Sequence, residues 1–211
     1  MSFEEYLSPE LRQVLDSLDT PLKIQIYLDS IVYDGADIDR SSVQVMEQGR
    51  SHCLDGGLFA AAALRKLGYP PMIIDLVPAP NTDDDHVLAL FRRNNHWGAV
   101  AKSNFVGLRY REPVYKSVRE LVMTYFEAYH SLDYSRTLRG YTRPFNLAAF
   151  DRFNWETTEE GVKRVSKRLY SLRSIPLLNQ KIISELTRVD IITFRSNTLV
   201  TNVTETFKPL V

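Results

Sequence analysis

The sequence predicts an α+β fold: helices first, then an antiparallel meander, then a helical extension. Three observations carry that expectation. Ile24, Tyr27, Leu28 and Ile31 recur at helical spacing. The alanine- and leucine-rich stretch 53–67 is apolar nearly all round, as a buried central helix is. Apolar runs at 72–77, 86–92 and 96–102 then read as strands, the last two flanking Asn94-Asn95, a pair suited to a tight turn because Asn tolerates positive φ.

Each element has a local reason. Ser8-Pro9-Glu10 and Thr20-Pro21 place a capping hydroxyl before a proline at the first helical position. Asp34-Gly35 ends the second helix, and 35–42 reads as a loop. Gly68 and Pro70-Pro71 stop the central helix, while Gly56, Gly57 and the alanines of 60–63 admit close backbone approach. Residues 78–85 form a polar loop, and 106–110 reads as a further strand. After Glu112-Pro113, the residues Val114, Val118, Leu121, Val122, Tyr125 and Phe126 form a helical stripe. The stretch 132–153 is irregular. Thr157 with Glu160 is a capping box leading a helix through Val162, Val165, Leu169 and Leu172. Residues 175–186 read as one more helix. The domain expectation is a single unit, 1–211, with its core at about 20–112, a helical extension at about 113–190 and an extended tail at 191–211.

Composition bounds the function. The chain has 211 residues, 44% of them hydrophobic, which suffices for one sizeable core. Lys plus Arg and Asp plus Glu each number 26, so the net charge is zero and the basic excess of a nucleic-acid binder is missing. The start is acidic and polar, without a leader pattern, and no apolar run approaches the ~18 residues of a membrane span. A single cysteine excludes an internal disulfide and fits a reducing, cytoplasmic setting. The His and Asp positions match no zinc spacing, so neither a metal nor a cofactor is expected.

Cys53 stands where the central helix begins, and a helix N-terminus favours a thiolate. A lone cysteine is more often an inert buried hydrophobe. A general base strengthens the chemical reading, and His86 opens a strand after a loop. In a hairpin centred on Asn95, His86 falls opposite Asn104, whose amide would orient the ring; a two-residue loop puts Ser103 there instead. Gln48, five residues before Cys53, is placed to donate to an oxyanion, although a plain surface glutamine is the commoner case. The run Asp83-Asp84-Asp85 reads as a solvated loop.

Gly49-Arg50-Ser51-His52-Cys53-Leu54-Asp55-Gly56-Gly57, the Ala/Leu helix, the exit Leu67-Gly68-Tyr69-Pro70-Pro71 and the following apolar strand resemble the core of transglutaminase-like proteins. The resemblance spans roughly residues 43–110. It implies a papain-like fold, a Cys-bearing helix packed on an antiparallel sheet, and a triad in which Cys53 is the nucleophile, His86 the base and Asn104 the orienting group. The family carries Asp at the third position, and an aromatic where this chain has Leu88. The implied function is a cysteine hydrolase or acyltransferase acting on a peptide or a small amide or ester. Its rival is a non-catalytic binding or scaffold protein of the same fold.

Overall fold

The computed structural model describes residues 3–36 and 38–207. Helices α1 (Pro9–Ser17) and α2 (Pro21–Ser30) start on the expected caps, with Ser8 Oγ accepting from the Leu11 N–H and Thr20 Oγ1 from the Lys23 N–H. There follow β1 (Val32–Tyr33), α3 (Ser42–Gln48), β2 (Arg50–Ser51), α4 (Cys53–Lys66), β3 (Met72–Pro78), β4 (His86–Arg93), β5 (His96–Val100) and β6 (Arg111–Tyr115). Helix α5 (Val118–Met123), β7 (Leu138–Thr142), β8 (Phe145–Asn146), α6 (Glu159–Tyr170), β9 (Ser174–Pro176), α7 (Gln180–Ser184) and α8 (Ile191–Asn197) complete the chain.

The architecture is α+β, as expected. The main sheet is antiparallel, ordered β6-β5-β4-β3-β7-β9, with β8 also beside β3. Strand alternation gives it two apolar faces. Ile73, Val87, Ala89, Phe91 and Val100 pack against α4 together with α2, α3 and α6. Ile74, Leu76, Leu88, Leu90 and Ala99 pack on the far side against Leu121, Val122, Tyr125 and Tyr129. Helix α4 is buried from Leu54 to Leu64, the all-round apolar helix read from sequence.

Glycine lets α4 lie this close to the sheet. A Cβ at Gly56 would stand 2.4 Å from Lys102 Cβ, and one at Gly57 would stand 2.8 Å from Val87 Cγ1. Gly56→Ala gains about 1 kcal/mol of helix propensity but meets overpacking worth ~1–3 kcal/mol. Because the Lys102 ammonium is anchored on the Leu28 and Ile31 carbonyls, the clash has little room to relax. Gly56→Ala is therefore expected to lower the urea midpoint, with a net cost of about 1–2 kcal/mol.

The second half departs from expectation. The 106–110 stretch is a single 3-10 turn (Val106–Leu108), and the strand begins later, at Arg111. Pro113 and Val114 stay extended in β6, an edge strand where a missing N–H is tolerated, so α5 starts only at Val118. The irregular stretch 132–153 contains β7 and β8, both paired with β3. The expected helix 175–186 is β9 followed by short α7. The expected helical extension thus supplies three strands to the sheet. The extended tail holds α8, capped by Asp190 on the Ile192 and Thr193 N–H groups; its end, 208–211, lies outside the described residues. Among the described residues, no helix is long and apolar enough to cross a membrane.

Candidate functional site

Cys53 is the first residue of α4 because of a reciprocal cap. His52 Nδ1 accepts from the Leu54 N–H at 3.2 Å, and Asp55 Oδ1 accepts from the His52 N–H at 2.7 Å. The His52 Nε2–H donates to the Ile38 carbonyl at 3.1 Å, which holds the ring in place. Buried Arg40 braces this turn: it pairs with Asp34 and Asp55, and its Nε–H donates to Gln48 Oε1 at 2.9 Å. Gln48 is therefore a bracket for the loop preceding α4, with its amide oxygen turned to Arg40. Burial lifts the Asp55 carboxyl to about 6 despite the nearby His52 and Arg40.

His86 and Asn104 line a small cavity of about 40 Å³ that shares Tyr33, Asp84, Asp85 and residues 205–207 with the Cys53 cleft, and neither side chain bonds to the sulfur. Arg93 pairs with His96 around Asn94 and Asn95, whose φ values are 50° and 62°, so the hairpin has a two-residue loop. Asn104 is not opposite His86 in that register, and β5 ends at Val100. His86 pairs with Leu76 and shares its face with Leu88, on the side away from α4. There its Nε2–H donates to the Leu108 carbonyl at 2.7 Å, and its ring meets Tyr129 edge-on. Burial depresses the imidazole to about 4, so the ring is neutral. Asn104 instead binds the C-terminal segment, donating to Asn202 O at 2.8 Å and accepting from Asn202 N–H at 2.9 Å.

One residue earlier, just before β4 begins, the main chain of Asp85 meets the cysteine. The Cys53 Sγ–H donates to the Asp85 carbonyl oxygen at 3.6 Å. Burial, then the Asp85 charge, pushes the thiol well above its ordinary range. Asp75, on β3 opposite Val87, faces the same side. Asp75 Oδ1 and Asp85 Oδ2 are buried without a donor, while the Asp75 carboxyl also meets the His86 N–H and the Asp85 carboxyl the Tyr170 hydroxyl. Burial raises both carboxyls, and the two side chains hydrogen-bond to each other, which requires a proton held between them.

A cleft of about 440 Å³ opens above the sulfur. Among the described residues, its carboxylates are Asp39, Asp84, Asp85 and Glu205, and its basic side chain is His52. Tyr33 and Tyr170 line it as well, their phenols raised by burial and by the neighbouring Cys53 and Asp85. Residues 204–207 form the remaining wall. Among the described residues, no group of three or more His, Cys, Asp and Glu side chains converges to hold a metal ion. Asp75, Asp85 and the two tyrosines escaped the sequence reading. The signal lay in Asp83-Asp84-Asp85, where alternation sends one carboxylate inward.

No family model matches the sequence, and no curated protein matches it. Among solved structures, Legionella pneumophila LapG aligns over 48% of this chain and 66% of its own length, at 15% identity and a TM-score of 0.36. Its EGTA-treated form aligns over 69% of this chain and 78% of its own, at 12% identity and a TM-score of 0.42. Both superpositions are loose, and the functional reading rests on the site.

Proposed function

We propose that this chain is a non-catalytic binding protein of transglutaminase-like build, whose cysteine cleft holds an organic cation, an ammonium or guanidinium group. One observation carries the reading: carboxylates, Asp85 among them, line the cleft beside the sulfur, while the imidazole is bonded to the Leu108 carbonyl. A thiol held protonated beside a carboxylate is a poor nucleophile. The same surroundings suit a cation, because four carboxylates confront one histidine and two tyrosines add ring faces and hydroxyls.

The test is a thermal-shift titration with arginine, spermidine and choline, each paired with a neutral analogue. Cations are expected to raise the melting temperature by mass action, and Asp84→Asn with Asp85→Asn to abolish the rise. Equal shifts for the neutral analogues, or no shift for any cation, would overturn it.

A second reading, a cysteine hydrolase or acyltransferase, is favoured by one feature: Cys53 is at a helix start and on the wall of an open cleft. Asp85 would then be the base. Iodoacetamide labelling of Cys53 against pH separates the two. A protonated structural thiol titrates above the ordinary ~8.5, whereas labelling that saturates below about pH 7 would install the enzyme reading.

A further inference from the structure

We propose that residues 201–207 are a strap that closes the Cys53 cleft, with Asn104 and Gly35 as its two catches. Asn104 is buried and spends its whole side-chain amide on the strap. Nδ2 donates to Asn202 O at 2.8 Å and to Glu205 O at 3.3 Å, while Oδ1 accepts from the Asn202 N–H at 2.9 Å. Thr201 Oγ1 returns a bond to the Asn104 carbonyl at 2.8 Å. At the cleft itself, the Gly35 N–H donates to Glu205 Oε2 at 2.8 Å. Between these catches, residues 204–207 face Cys53, Tyr33 and Asp85 across the cleft.

The attachment is polar. Leu199, Val200 and Val203 are 79%, 63% and 60% exposed, and no residue of the strap belongs to either apolar core. A segment held by a few hydrogen bonds, with Phe207 half-buried against the cleft but outside either core, opens locally at far less cost than the fold. Opening widens the cleft on the side where residues 204–207 now stand. The strap thereby sets which ligands reach the site proposed above, and the inference rests on the cleft being that site, whatever the chemistry of its occupant.

Gly35 provides an independent handle. A Cβ there would stand 2.9 Å from Glu205 Oε2 and 3.3 Å from Glu205 Cα, so alanine pushes on the strap. The residue has no positive φ to strain.

The experiment measures Cys53 labelling at alkaline pH with a small reagent, iodoacetamide, and a bulky one, fluorescein maleimide. It uses the intact protein and its Asn104→Ala, Glu205→Ala and Gly35→Ala variants. Opening of the strap is expected to raise the bulky-to-small rate ratio several-fold in all three. Global loosening raises both rates together and leaves the ratio unchanged. An unchanged ratio in Glu205→Ala and Gly35→Ala, whose altered residues lie at the surface and leave the core intact, would overturn the proposal even where Asn104→Ala fails to fold. No ligand enters the measurement, so a failed cation titration leaves its outcome standing.

Discussion

Asp75→Asn is expected to stabilise the protein, by on the order of 2 kcal/mol at pH 8, with the gain vanishing below about pH 4. Asp75 sits on β3 facing α4. Its N–H donates to Thr142 Oγ1, and its buried carboxyl meets Asp85 and the His86 N–H, with Oδ1 left without a donor. Burial, then the Asp85 charge, raises the Asp75 carboxyl well above the usual range. Folding therefore takes up a proton. A carboxyl raised in the folded state contributes its full stability below its unfolded value of about 3.8, and that stability declines as pH climbs towards the folded value. Asparagine keeps the shape and permanently supplies the N–H donor that the shared proton supplies now, so it is insensitive to pH. Urea midpoints at about pH 4, 6 and 8 measure the difference. Equal stabilities at every pH, or a variant that is uniformly weaker, would mean that the two carboxyls do not share a proton. The same substitution leaves Asp85 charged towards the cleft, so cation binding is expected to survive it.

Legibility followed the range of the interactions. The buried α4 helix, its glycines, its stop and the Asn94-Asn95 turn depend on neighbours in sequence, and all were readable. The site turned on one residue of register. A two-residue loop in place of one centred on Asn95 removes Asn104 from its place opposite His86, and the alternation of β4 sends His86 away from α4, while Asp85, just before the strand, lies beside the thiol. Pattern alone does not fix which of two adjacent side chains faces in. The second half was harder for a different reason. Strand β7 is defined by pairs such as Leu76 with Tyr141, and the partner of Asn104 is Asn202, so the deciding bonds span distances that no window of periodicity sees. Residues 175–186 show the same limit: apolar spacing there fits a helix, yet Ile175 pairs with Tyr141 at the edge of the sheet.

His86→Gln is the substitution that decides between a buried structural histidine and a displaced catalytic base. The ring is neutral in the fold, depressed from its ordinary 6.5 to about 4 by burial. As pH falls from 6.5 to 4, the unfolded chain gains a proton that the folded chain refuses, so stability present above 6.5 is lost through that window. At about 1.4 kcal/mol per unit, the loss is roughly 3 kcal/mol. Glutamine retains an N–H for the Leu108 carbonyl but cannot titrate, so it should not show this loss. Asp55 and Asp83, both raised to about 6, act with the opposite sign below pH 6 and partly mask the effect in the parent protein. They cancel in the difference between parent and variant. Urea titrations of both proteins across the window are expected to diverge by that amount, and parallel curves would place a solvated, ordinary imidazole at position 86. The labelling rate of Cys53 supplies the second half of the decision. A base acting on the sulfur contributes ~100-fold or more, so its removal would slow alkylation by a comparable factor. With the imidazole bonded to Leu108 on the far face of the sheet, the rate is expected to stay the same, while Asp85→Asn, which removes the charge beside the thiol, is expected to increase it.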